Sequence, residues 1–222
     1  ATTVTVSGLA ISSITGNKGS VAGDYALSAT SKTVAGVITA KALTMSGLSV
    51  ASSRAYDGTT GATVIGTAAL QTAQSTGTGT TSDGKPYTGD TVSITGTAVG
   101  TYDSAHVADA SSVTFSGLSL TGTQSGNYSL TIQSAASATI TAATLTPTIT
   151  NTGVTKVYDG GMSSGITPTY SFSGLVSGDT AAVLTNTGIA YNSKDVADAT
   201  AVTVSGLAIS SITGNKGSVA GD

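Results

Sequence analysis

The sequence predicts an all-β protein of tandem small β-sandwich, immunoglobulin-like domains. Three observations predict it: an inventory poor in helix formers, apolar residues alternating at period two, and a 198-residue repeat containing two related domains. The inventory comes first. Charged residues make up 9% of the 222, against roughly 25% in an average soluble domain. Every acidic residue is Asp, and Gly occurs 29 times. Without Glu and with few Lys and Arg, helix surfaces lack their usual fillers, while abundant Thr and Val suit pleated strands. A positive mean hydropathy of +0.24 argues against disorder.

The alternation places the strands. It is plain in Val4-Thr5-Val6, in Thr91-Val92-Ser93-Ile94, in Val113-Thr114-Phe115 and in Tyr128-Ser129-Leu130-Thr131-Ile132. Gly-, Asn- and Asp-containing turns close the runs, among them Gly16-Asn17, Ser82-Asp83-Gly84 and Ser125-Gly126-Asn127. Turns recur every 8–12 residues or so, giving roughly seven strands in a domain of about 100 residues, as in an immunoglobulin-like sandwich. A β-grasp-like sheet is the alternative; it needs a helix, and only the short stretches 68–74 and 179–184 offer one. A parallel β-helix would repeat every 20 residues or so, a period that is absent.

The repeat sets the boundaries. Residues 1–24 recur at 199–222 with one difference, Thr3 against Ala201. An older repeat lies within the unit: the stretch from Gly89 aligns without gaps to the stretch from Gly178, matching Asp90 with Asp179, Tyr102 with Tyr191, Val107 with Val196 and Asp109 with Asp198. Upstream, Ala55-Tyr56-Asp57-Gly58 matches Val157-Tyr158-Asp159-Gly160; downstream, Asn127-Tyr128 matches Asp24-Tyr25, and Ile-Thr-Ala closes at 140–142 and at 38–40. These matches cut the chain into residues 1–40, the C-terminal part of a preceding domain; 41–141, a complete domain; and 142–222, a second domain whose last strand would resemble residues 25–40.

The ordered motifs Tyr-Asp-Gly, Gly-Asp-Thr, Val-Ala-Asp, Ser-Gly-Leu, Asn-Tyr and Ile-Thr-Ala resemble the YDG-type repeat domains of large bacterial exoproteins of the filamentous-haemagglutinin type. The resemblance spans the chain. It implies an adhesin at the bacterial cell surface or in the biofilm matrix, in which these domains form a structural stalk or fibre for cell adhesion.

Composition excludes several chemistries. With no Cys there are no disulfides, thiolate nucleophiles or Cys-type zinc sites. A net charge of −3 offers no basic patch for nucleic acid, and no apolar run reaches the roughly 18 residues of a membrane span. His106 is the only histidine, its match is Asp195, and it reads as a surface residue without a catalytic partner. The expectation is therefore a protein that is not an enzyme and needs no cofactor.

Three groups remain as site candidates. Tyr56, Asp57 and Gly58, with Tyr158, Asp159 and Gly160, read as repeated turn locks: Asp bonds an amide two residues on, Gly takes positive φ, and Tyr buries its ring. Asp109 and Asp198 are weak calcium candidates, since no dense acidic loop surrounds them. Ser82, Asp83, Gly84, Lys85 and Tyr87 lie in a stretch inserted in the first domain relative to the second, a candidate contact loop. The expected partners are neighbouring repeats in the same chain or filament. The alternatives are multivalent binding of an extracellular polysaccharide by the repeats themselves, and self-assembly into filaments by strand complementation.

Overall fold

The computed structural model describes residues 2–222. In the N-terminal segment, β1 (Thr3–Ser7) and β2 (Ser31–Ala35) form an antiparallel hairpin with Val4 opposite Val34. The central unit contains β3 (Lys41–Val50), β4 (Ser53–Ala55), β5 (Gly61–Ala62), β6 (Val64–Leu70), β7 (Ser93–Tyr102), β8 (Ser112–Thr121), β9 (Tyr128–Thr131), β10 (Ala136–Ser137) and β11 (Thr139–Thr141). The C-terminal unit contains β12 (Thr146–Ile149), β13 (Tyr170–Ser173), β14 (Asp179–Thr185), β15 (Gly188–Tyr191), β16 (Val202–Ser205) and β17 (Ala208–Gly214).

Among the described residues helix is confined to two single 3-10 turns, Ala22–Asp24 and Ser125–Asn127. The two stretches weighed as helices are not helical. Residues 68–70 belong to β6 and 179–184 to β14, because each finds a strand to pair with, β3 and β17 respectively. Among the described residues no helix is long and apolar enough to cross a membrane.

Alternation along β3 and β8 builds the core of the central unit. Leu43 and Met45 point inward from β3, and Val113 and Phe115 do so from β8. The pattern on β3 shifts by one at Gly47, so Leu48 also faces in. A bulge makes the shift: Gly47 has φ +98°, and a Cβ there would collide with the Thr67 carbonyl oxygen. Gly96 makes the matching bulge between β7 and β8. Met45, Leu48 and Phe115 form one buried cluster, with Val64, Ile94 and Leu130 against it. Tyr56, Tyr102, Ala110, Val113, Ala138 and Ile140 form a second.

The sheets differ from the purely antiparallel pairing of an immunoglobulin-type sandwich. An antiparallel sheet runs β10-β8-β7-β5. In the sheet β6-β3-β9, however, β9 lies parallel to β3, with Leu43 beside Leu130. β11 likewise lies parallel to β4, with Ile140 beside Arg54. The strands that open the unit are thus paired with the strands that close it, all pointing one way.

The C-terminal unit keeps the early part of this plan. β12 pairs with β13, setting Pro147 opposite Phe172 as Met45 stands opposite Leu70 in the central unit. β15 pairs with β16, setting Tyr191 opposite Val202 as Tyr102 stands opposite Val113. Residues 142–222 hold no counterpart of β9, β10 and β11. The consequence is exposure: of the twelve buried apolar residues among those described, Tyr191 alone lies in the C-terminal unit, and the other eleven run from Leu43 to Ile140.

Candidate functional site

The two Tyr-Asp-Gly turns share one local geometry. After β4, Asp57 accepts the Thr59 amide at 2.9 Å and the Thr59 hydroxyl at 2.7 Å, and it pairs with Arg54. Burial works against its charge, but the Thr59 and Arg54 hydrogen bonds outweigh burial and hold the carboxyl below the usual range. Asp159 accepts the Gly161 amide at 2.8 Å and pairs with Lys156 at 2.7 Å, and those two contacts hold its carboxyl low as well. Gly58 and Gly160 take φ of +73° and +77°. The tyrosines differ: Tyr56 is 5% exposed and Tyr158 is 59% exposed. Tyr56 packs with Ile140 of β11, and the C-terminal unit has no such strand.

The inserted stretch folds inward. Asp83 pairs with the nearly buried Lys41 at 2.8 Å and accepts the Lys85 amide, the Gln74 side chain and the Thr80 amide. The Lys41 bond leads these in keeping the Asp83 carboxyl far below its ordinary range. Gly84 is buried against β3, where its carbonyl accepts the Thr44 amide. Lys41 covers the Tyr87 ring at 4.3 Å, and the Tyr87 amide donates to the Tyr128 hydroxyl at 3.1 Å. That hydroxyl donates in turn to Asp90. Burial, then Asp90, pushes the Tyr128 hydroxyl up. Ser82 alone of the five candidate loop residues stands exposed.

Asp109 and Asp198 sit exposed in matching turns, each amide bonded to the carbonyl three residues back. Among the described residues no three His or Asp side chains converge where a metal ion would sit.

The polar cluster that local spacing did not reveal lies between the two units. Tyr56 donates to Ser218 at 2.7 Å, and Ser218 donates to Asp179 at 2.7 Å. His106 meets Asp222 through Nδ1 at 2.7 Å, the Val107 amide donates to the same carboxylate at 3.1 Å, and the Ala143 amide donates to the Asp222 carbonyl at 2.6 Å. His106 also stacks on Tyr56, ring centroids 6.4 Å apart. His106 is therefore a partly buried joint residue rather than a bare surface one. Its partner lies 116 residues away, out of reach of any reading of local motifs. The one available signal was that Gly-Ser-Val-Ala-Gly-Asp occurs twice.

These features define a class: an all-β protein of serial units, whose recurrent side chains lock turns and join one unit to the next. The YDG domain family matches residues 39–138 and 141–218, and the chain belongs to that family. No curated protein and no solved structure matches it.

Proposed function

We propose that the chain is a load-bearing segment of an extracellular stalk or fibre, in a bacterial surface or biofilm-matrix adhesin of the filamentous-haemagglutinin type, with no catalytic role. The carrying observation is the parallel pairing of opening and closing strands in the central unit. The chain enters along β3 and β4 and leaves along β9 and β11 in the same direction. Tension between entry and exit therefore slides paired strands past each other, loading their hydrogen bonds together instead of unzipping them singly. The same direction of travel displaces exit from entry, so each unit adds length. The Tyr56–Ser218 and His106–Asp222 contacts limit swivelling at the joint.

The Met45–Leu48–Phe115 cluster lies where the β6-β3-β9 sheet meets the β10-β8-β7-β5 sheet, which favours reading the complete unit as a small sandwich closed by parallel strands. In the inserted stretch the Tyr87 amide and Asp90 take up the Tyr128 hydroxyl, and the Tyr87 ring is covered by Lys41; this favours a structural role over polysaccharide capture.

Pulling a single chain from residues 41 and 222 tests the proposal. The expected record has one high-force event for residues 41–141 and a weaker one for 142–222. Extension of 41–141 without a force peak would overturn it.

A further inference from the structure

Lys41 opens β3 with its side chain only 8% exposed, and its Nζ lies 2.8 Å from the Asp83 Oδ1. The approach is close but poorly aimed, and Nζ makes no well-directed hydrogen bond. The Tyr87 ring closes over it, 4.3 Å from Nζ to the ring centre. The carboxyl is fixed more firmly. Its Oδ2 accepts the Gln74 side chain at 2.6 Å and the Thr80 amide at 3.0 Å, and its Oδ1 accepts the Lys85 amide at 3.0 Å. Both backbones are held as well, because Leu43 bridges to Gly84, whose carbonyl accepts the Thr44 amide. Amine and carboxyl are thus presented to each other by a rigid frame rather than by two free side chains.

The repeat adds a second observation. By the match of Tyr56 with Tyr158, position 41 corresponds to Ala143, and the stretch that carries Asp83 has no counterpart in the C-terminal unit. The amine and its carboxyl are present together in one unit and absent together from the other. As an ion pair, two sheltered charges contribute little net stability.

We propose that Lys41 and Asp83 condense into an isopeptide bond between Nζ and Cγ. Nζ passes one proton to Oδ1 across the 2.8 Å contact, and its freed lone pair attacks Cγ. In the tetrahedral intermediate Oδ2 carries the negative charge, where Gln74 and the Thr80 amide already donate to it. A second Nζ proton then moves to Oδ1, the Cγ–Oδ1 bond breaks, and one water leaves. Ammonium and carboxylate become one neutral amide, with no oxidant or other reactant. The fixed frame supplies the proximity that such a condensation needs, and the Tyr87 ring limits the water that would reverse it. Since the unreacted pair is charged, proton transfer is the slow event, and the bond forms once in the life of the chain. The link closes a ring from Lys41 to Asp83 that contains β3, β4, β5 and β6. Force entering at residue 41 passes through the link, so those strands are not drawn out. The bond does not rest on the stalk reading, and a chain lacking it would keep the force peak.

The test is the mass of the denatured 222-residue chain, after the folded chain has stood in neutral buffer until its mass is constant. It should be about 18 Da below the mass of its sequence, one water lost. Fragmentation should join the peptide of Lys41 to that of Asp83. Lys41→Arg and Asp83→Ala should each restore the full mass. In the pulling record, wild-type unfolding of 41–141 should release about 140 Å less chain than Lys41→Arg, since the ring from Lys41 to Asp83 stays closed. A wild-type chain of full mass overturns the proposal. So does a deficit that survives Lys41→Arg, which would mark a succinimide at one of the three Asp-Gly pairs, Asp57-Gly58, Asp83-Gly84 or Asp159-Gly160.

Discussion

Residues 10–16 and 208–214 are the same seven residues, Ala-Ile-Ser-Ser-Ile-Thr-Gly, and they take two different structures. The second copy is strand β17, paired with β14; the first has no regular structure. Their flanks, by contrast, agree. Gly8 and Gly206 have φ of +70° and +63°, and Gly19 and Gly217 have +71° and +70°. In both copies the aspartate that ends the segment accepts the amide three residues back at 2.9 Å, Asp24 from Val21 and Asp222 from Val219. The difference teaches that these strands carry no instruction sufficient to themselves, whereas the turns between them do. A strand leaves its backbone groups unpaired until another arrives; the turns complete their bonds within a few residues.

The same contrast separates the two units, and a core mutation should widen it most. Leu43→Ala removes a fully buried side chain and should cost about 2–5 kcal/mol. Leu145→Ala, at the matching but half-covered position, should cost less than about 1.5 kcal/mol. Urea unfolding followed by a probe in each unit measures both, and equal costs would break the comparison. Next, Val183→Pro denies β17 a regular partner strand. Amides of residues 209–213 should then exchange as fast as those of 11–15, while β15 and β16 stay protected in hydrogen-exchange NMR.

A smaller effect concerns acid. Burial opposes the charge of Asp222, but hydrogen bonds from His106, Val219 and Val107 outweigh it and lower the carboxyl below its ordinary value. A lowered folded value means the joint gains stability that is fully present above the ordinary aspartate range and is lost as pH falls through the folded value. Asp222→Asn should remove that dependence, read as the midpoint of thermal unfolding of the C-terminal unit against pH from about 5 down to 2. Asp24→Asn, at the exposed match, should leave the same curve unmoved. The smallest effect should come from Thr3→Ala, which erases the only difference between the two copies at an exposed site; stability should move by no more than about 0.5 kcal/mol, measured in urea.

Much of this architecture was legible. Alternation in Val113-Thr114-Phe115 located β8, and the repeat of Tyr-Asp-Gly located two turns whose aspartates and glycines behave alike. The inserted stretch was legible as an insertion but not as a brace, because the Lys41–Asp83 pair joins residues 42 positions apart. Nor did alternation reveal that β9 runs parallel to β3, since period two marks which face a residue takes and not the direction of its neighbour. His106 illustrates the same boundary: with no repeated match it looked incidental, and only the approach of Asp222 gives it a role.

The sequence by itself determined the β character, the turns and the recurrence of one plan, because propensity, positive φ at glycine and short-range capping are satisfied locally. Tertiary structure alone decided which copy of Ala-Ile-Ser-Ser-Ile-Thr-Gly became a strand, which Tyr-Asp-Gly tyrosine was buried, and which terminal aspartate of the two copies found a histidine. Each of those outcomes depends on a backbone ladder or an apolar wall contributed from tens of residues away, and identical residues without that partner remain exposed.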